Sequence, residues 1–278
     1  MPRSQAMLVC ALGDLLLDVV VRLDGKLMPG GDVGARTVVS PGGQAANVAA
    51  WASSLGAHAR LIAKRARDEA GRLAAVQVGE LGVDVAGPIA AAGATGVVVS
   101  LVAADGERTM ASDRGVSETF APSELDLAWL SGCDHLFVSG YCLTSAEERR
   151  VAEIAIAAAR SQGAGMSLDL SATSAIESCG VDTLRAFIAD VRPDAVFCNE
   201  DEDRAAGGVV EGIHWILKRG ARGVSFDGDE REALDAAPVD STGAGDALAA
   251  GWIVGGPGLG LETAARCIAH VGAMPCAS

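Results

Sequence analysis

Asp246 closes the run Asp240-Ser241-Thr242-Gly243-Ala244-Gly245-Asp246, and the Ala247-Leu248-Ala249-Ala250 stretch behind it reads as helix. Glycines at a helix start leave backbone N–H groups facing outward, and the helix dipole adds about half a positive charge there. The turn is therefore an anion hole. A carboxylate inside it has a chemical use, because it can take the proton of an attacking hydroxyl while neighbouring amides hold phosphoryl oxygens. Aspartate also caps helices, so the run alone leaves both readings open.

Four other segments have polar residues at positions where chemistry is possible. In Pro41-Gly42-Gly43-Gln44-Ala45-Ala46-Asn47-Val48-Ala49 two glycines again open a helix. Backbone can approach a polyol closely there, and Asn47 offers both a donor and an acceptor. A tight turn with a satisfied asparagine is the alternative. Asp14 and Asp18 follow the first strand, where a carboxylate can accept two hydrogen bonds from vicinal hydroxyls or simply sit in a solvated turn. Asn199-Glu200-Asp201-Glu202-Asp203 follows a strand ending at Cys198. Such acids can hold Mg²⁺ through its waters beside nucleotide phosphates, or can begin a solvated helix. Arg219-Gly220-Ala221-Arg222-Gly223 is a glycine turn with two cations, suited to phosphates or to ending a helix.

The elements that must position these residues alternate. Apolar runs at Met7 to Leu12, Ala59 to Ile62, His135 to Val138, Gly165 to Leu168 and Ala195 to Cys198 have the pattern of parallel strands buried on both faces. Helical patterns lie among them at Ala45 to Leu55, Glu69 to Leu81, Ala146 to Ser161, Val181 to Asp190 and Ala244 to Val254. Strand and helix in alternation predict a parallel sheet covered on both faces. Val19 to Ser40 and Gly96 to Asp113 break the rhythm, since they are β-rich with turns and no helix. The second reads as a hairpin turning at Ala104-Asp105-Gly106-Glu107. The two excursions are expected to pair as a small β lid over the carboxyl end of the main sheet, where such folds bind ligands. The stretch near Ala90 reads as a surface connection.

The 278 residues carry a net charge of −14 and half are hydrophobic. That suffices for a large core, and the negative surface disfavours nucleic acid and anionic membranes. ATP in such a chain needs a local positive site built from backbone N–H groups, a metal and a few basic side chains. The seven cysteines form no C-x-x-C pair and the four histidines show no ligand spacing, so neither a disulfide framework nor a zinc site is expected. Asp14 and Asp18 interrupt the apolar run from Ala6 to Val21, which therefore reads as a buried strand rather than a signal peptide. A cytoplasmic protein is expected. Gly13 lacks the partner glycines of a dinucleotide turn, which argues against NAD.

Together the motifs resemble the ribokinase-like, or PfkB, carbohydrate kinase family. Gly42 to Ala49 is similar to its first signature and Asp240 to Ala247 to its second, in the right order near opposite ends of the chain. Asn199-Glu200-Asp201-Glu202 resembles its N-x-x-E motif, and Gly220-Ala221-Arg222-Gly223 its nucleotide-side glycine turn. The similarity runs from about Leu8 to about Ala273.

The resemblance implies a Rossmann-like α/β domain, 1–18, 41–95 and 114–278, with a β lid formed by 19–40 and 96–113. It implies ATP and Mg²⁺ as cofactors and a sugar or sugar-like hydroxyl as acceptor. Asp246 would be the base, with Gly243, Ala244 and Gly245 as the anion hole. Asp18, Gly42, Gly43, Asn47 and Asp14 would grip the acceptor. Asn199 and Glu202 would organise the waters of Mg²⁺ and the phosphates, and Gly220 and Gly223 would line the nucleotide. Asp240 and Thr242 resemble a segment that binds a monovalent cation such as K⁺ in some members.

A nucleoside acceptor is the alternative, though the few aromatics do not fall clearly in lid strands. A homodimer paired through an exposed lid edge is expected. The chain departs from the family in three places. Lys64 to Gly71 stands where G-x-V-G-x-D-x-x-G is usual, keeping Asp68 and Gly71. The connection from Gly207 to Gly220 looks short for a helix and strand, and little chain follows Ala273. A sugar-binding protein with weak catalysis is the competing reading.

Overall fold

A computed structural model describes residues 6–103 and 108–276. The apolar runs form strands, and their alternate residues enter two separate cores. Strand β1 (Leu8–Leu12) sends Val9 and Ala11 into one and Cys10 and Leu12 into the other. The chain then leaves the main sheet through β2 (Leu16–Leu23) and β3 (Ala35–Gly42). It returns through α1 (Gln44–Ser54), β4 (His58–Ile62), β5 (Arg65–Ala66), α2 (Glu69–Glu80), β6 (Val83–Ala86) and β7 (Ile89–Ala90). A second excursion follows in β8 (Thr95–Val102) and β9 (Arg108–Gly115). Next come β10 (His135–Ser139), α3 (Ala146–Arg160), β11 (Gly165–Asp169), α4 (Thr173–Cys179), α5 (Val181–Val191), β12 (Ala195–Asn199) and α6 (Glu200–Ala206). The chain closes with β13 (His214–Lys218), β14 (Val224–Phe226), β15 (Asp229–Arg231) and α7 (Ala244–Ile268).

The main sheet has the order β15-β14-β13-β12-β11-β10-β1-β4-β6. It is parallel from β13 to β6, and the β13-β14-β15 edge is antiparallel. One core packs the sheet against α1, α2 and α7, and the other packs it against α3, α5 and α6. This is the mostly parallel α/β sheet expected from the alternation. The two β excursions meet in a second sheet of order β3-β2-β8-β9, with β2 parallel to β8 and both outer pairings antiparallel. The expected hairpin is β8 with β9; its turn, Ala104 to Glu107, lies outside the described residues.

Three segments differ from the sequence expectation. The connection from Gly207 to Gly220 does contain a strand, β13, though no helix precedes it after α6. Ile89 and Ala90 pair with Arg65 and Ala66 rather than only bridging the surface. The helix expected over Ala244 to Val254 continues to Ile268, because Pro257 restarts it after non-helical Gly255 and Gly256.

Candidate active site

Parallel strands bring their carboxyl ends to one edge, and five of them deliver polar residues there. Register places Ser139 beside Asp169 and Asn199 beside Lys218, while Asp14 follows β1. Helices α1 and α7 begin at the same edge, both capped by glycines, Gly43 and Gly243. Gly43 has φ of 102°, and a Cβ there would lie 2.3 Å from the Asp14 carbonyl oxygen, so only glycine lets α1 start this close to β1.

Asp246 and Asn47 meet where the two helices converge. The Asn47 Nδ2 donates to Asp246 Oδ2 at 2.7 Å, whereas the buried Asn47 Oδ1 has no partner among the described residues. A buried acceptor of this kind calls for a donor from outside the chain. Gln44 also hydrogen-bonds Asp246. Its Oε1 accepts from Ser139 Oγ and Ser171 Oγ, both at 2.6 Å, which leaves the Gln44 amide group to face the carboxylate. Ser171 takes a left-handed backbone, φ 70°, to reach this position. Burial pushes the Asp246 carboxyl up to about 7, with Asn47, Lys218 and Gln44 pulling it back down and Asp169 adding to the rise.

The N–H groups of Gly245 and Asp246 have no backbone acceptor among the described residues and stand at the positive end of α7. Lys218 packs against this turn, with its Nζ 3.3 Å from the position of a Cβ on Gly245. Its ammonium donates to the fully buried Asp169 at 2.6 Å. Burial works against that charge, yet Asp169 and Glu202 outweigh it and raise the Lys218 pKa. Lys218, Asp169, Gln44 and Ser171 were not among the residues expected from sequence. Asp169 and Lys218 each end a parallel strand, which is the signal that could have found them. Lys218 was hidden because the connection from Gly207 to Gly220 looked short for a helix and a strand, and no strand was read there.

Glu202 is buried, and both its oxygens accept from Asn199, from the backbone N at 2.8 Å and from Nδ2 at 2.7 Å. The pair forms a capping box on α6. Burial raises the Glu202 pKa against the pull of Lys218. Asn199, Glu202, Gly220, Gly223, Gly245 and Asp246 line one cavity of about 830 Å³. Its lining also includes the apolar Val224, Leu234, Leu261 and Ile268. A cavity lined by both charged and apolar residues has the size and chemistry for a nucleotide. Among the described residues no group of three or more His, Cys, Asp and Glu could hold a metal ion, so a divalent ion here would need phosphate oxygens and water to complete its shell.

Asp18 and Asp14 lie at the base of the second sheet in different states. The Asp18 carboxylate rests on Gly42, where a Cβ would meet it at 2.2 Å, and burial pushes its pKa up to about 6. Asp14 is committed to Arg114 at the end of β9, at 2.7 and 2.9 Å. Arg114 also donates to the buried Glu148 at 2.8 Å. Asp240 accepts from the N–H groups of Thr242 at 2.8 Å and Gly272 at 3.1 Å, which ties the α7 turn to the last loop. The departing segment is well formed: Lys64 is buried against Glu124 at 2.7 Å, and Asp68 caps α2 while binding Thr95.

These features coincide with a known family. The pattern of the pfkB family carbohydrate kinases matches residues 6–276. The chain belongs to that family. An ATP-dependent ribose-1-phosphate kinase from Halopiger xanaduensis is 32% identical over 259 residues, which are 88% of this chain and 83% of that protein. Among solved structures, adenosine kinase from Sinorhizobium meliloti superposes with a TM-score of 0.84 at 21% identity, over 98% of this chain and 96% of that one. A candidate ribokinase II from E. coli, in complex with ATP and Mg²⁺, gives 0.80 at 22%, over 99% and 96%. The chain is thus a pfkB-family kinase with the ribokinase-like fold.

Proposed function

We propose that this kinase transfers the γ-phosphoryl group of ATP to a hydroxyl of a ribose-type sugar, with Asp246 as general base. The observation that carries the reading is the contact of Asp246 with Asn47. It sets a carboxylate with a pKa of about 7 beside a buried acceptor that lacks a donor, at the mouth of an anion hole. A sugar hydroxyl would satisfy Asn47 Oδ1 and lose its own proton to Asp246. Of the expected Gly243, Ala244 and Gly245 anion hole, the Ala244 N–H already donates to the Ser241 carbonyl at 3.3 Å, so the N–H groups of Gly243, Gly245 and Asp246, with the Lys218 ammonium, would take the charge on the phosphoryl oxygens.

Asp18 and the backbone at Gly42 and Gly43 would orient the sugar. Asp14 contributes indirectly, since its oxygens hold Arg114. Gly220 and Gly223 would flank the nucleotide, and Glu202 with Asn199 would meet the waters of Mg²⁺, which screens phosphate charge when bound. Asp240 and Thr242 remain the candidates for a K⁺ site. The second sheet would act as the lid, with 19–40 and 96–113 as its two parts, and its exposed Val38, Val39 and Met110 on edge strands β3 and β9 favour a homodimer. A cytoplasmic location fits an ATP-consuming enzyme; among the described residues no helix is long and apolar enough to cross a membrane.

ADP formation measured over a panel of sugars, sugar phosphates and nucleosides tests the proposal. Turnover that requires both Mg²⁺ and a sugar acceptor is expected. Sugar binding without ATP binding at millimolar nucleotide would replace the kinase with a sugar sensor, and turnover confined to nucleosides would replace the acceptor class.

A further inference from the structure

Helix α1 carries two side-chain donors one turn apart, and each reaches a different part of the α7 turn. Asn47 donates to Asp246 at 2.7 Å. Trp51 is 1% exposed, and its indole N–H donates to the Ala273 carbonyl at 2.8 Å, across 222 positions of chain. An indole nitrogen can only donate, so this buried group commits the ring to an acceptor. The Cys267 thiol stands farther from the same carbonyl, at 3.9 Å.

Ala273 belongs to the loop that follows α7, and this loop backs the turn at Gly243. A Cβ on Gly243 would lie 2.6 Å from the Ala273 Cβ and 2.8 Å from its carbonyl oxygen, so turn and loop touch with no side chain between them. Further bonds join the two segments. Gly272 donates to Asp240 at 3.1 Å, Thr242 donates to Asp240 at 2.8 Å, and the Cys267 thiol donates to the Thr242 carbonyl at 3.3 Å. Residues 269–274 form neither helix nor strand, so their backbone depends on such contacts for its position. A displaced Ala273 would carry Gly243 with it.

The aromatic face of Trp51 has separate neighbours. The Arg266 guanidinium lies 5.6 Å from the ring centroid, and the His270 ring lies 6.0 Å away. Those contacts use the ring and not its N–H. Filling the core would account for the burial of Trp51, but not for an N–H spent on the loop that backs the anion hole.

We propose that Trp51 is a positioning residue for phosphoryl transfer. Its N–H holds Ala273 against Gly243, and so aligns the anion hole with Asp246, which the same helix holds through Asn47. This rests on the kinase reading above and names a residue on which the alignment of base and anion hole depends.

Trp51→Phe removes the N–H and keeps an aromatic ring, whereas Arg266→Gln removes the cation and keeps the N–H. Val78→Ala, on α2 in the same core, is the control for lost stability. Kinetics use ATP, Mg²⁺ and either ribose or ribose 1-phosphate, whichever the unmodified protein turns over faster. Trp51→Phe is expected to lose about tenfold or more in kcat with both KM values within about twofold, since the anion hole acts on the transition state. The midpoint of its kcat profile should stay at about pH 7. Arg266→Gln and Val78→Ala are expected to keep kcat within about twofold. Amide hydrogen exchange should quicken at Gly243, Gly272 and Ala273 in Trp51→Phe alone.

An unchanged kcat in Trp51→Phe, a loss matched by Val78→Ala, or a change confined to KM overturns the assignment. So does unchanged exchange at Gly243. Rapid exchange of the Trp51 indole N–H in the unmodified protein would overturn it without any variant.

If neither sugar yields ADP, the kinase reading falls, and calorimetry with ADP, Mg²⁺ and aluminium fluoride, a mimic of the transferred phosphoryl group, decides this claim. Weaker binding of the mimic by Trp51→Phe with binding of ADP alone preserved upholds it, and equal binding overturns it. Full turnover by Trp51→Phe upholds the kinase and removes the positioning role.

Discussion

Asp246 is useful as a base only when ionised, and burial sets its pKa at about 7. The rate is therefore expected to climb through about pH 7 and level off above it, in a kcat profile at saturating ATP and acceptor. A flat profile across that range would move the base elsewhere. The same shift has a consequence for stability. The folded pKa is raised above the ordinary 3.8, so the stability Asp246 lends is complete below about pH 4 and is lost as pH rises through about 7. Asp246→Asn is accordingly expected to raise Tm at about pH 8 and to give no gain near pH 4, as read by thermal melts. Asp18, raised to about 6 by burial, contributes with the same sign over a narrower window. Gln44, Asn47 and Ser171 do not alter the sign of this effect; they fix which way the carboxylate points.

The elements around the site explain what was legible in the sequence. Residues on glycine-opened helices were readable because glycine spacing encodes both the backbone geometry and the N–H groups: Asp246, Asn47 and the Gly42-Gly43 turn. Buried strands were readable from unbroken apolar runs, and the order of strands and helices gave the parallel sheet. Lys218 and Asp169 were not readable, because their 2.6 Å contact joins β13 and β11 across the intervening β12 and leaves no local pattern. Arg114 was missed for the same reason: it reaches Asp14 from a strand 100 positions away. Cutting Lys218 to methionine is expected to leave the fully buried Asp169 unpaired, at a cost of roughly 3–5 kcal/mol in denaturant unfolding. Adding Asp169→Asn should recover part of that loss without restoring kcat. Gly43→Ala is expected to destabilise by about 1–3 kcal/mol from its backbone alone, with a further penalty from the contact at Asp14. Unchanged unfolding midpoints in either case would contradict the packing described.

At the scale of the whole molecule, two sheets share the work. The main sheet carries the cavity and Asp246, and the second carries Asp18. Arg114 joins them, donating from β9 to Asp14 after β1 and to Glu148 on α3. The exposed apolar residues on the edges of the second sheet lead us to expect a dimer, so light scattering should give about twice 28.0 kDa. A mass of one chain at working concentration would contradict this. None of these assembly or specificity features matters unless the chemistry runs through α7. The most direct test is phosphoryl transfer by the unmodified protein and by Asp246→Asn, followed as ADP formation with ATP, Mg²⁺ and ribose 1-phosphate or ribose. The variant is expected to bind ATP normally and to lose about two to four orders of magnitude in kcat. Equal turnover by the two proteins would show that Asp246 is not the base.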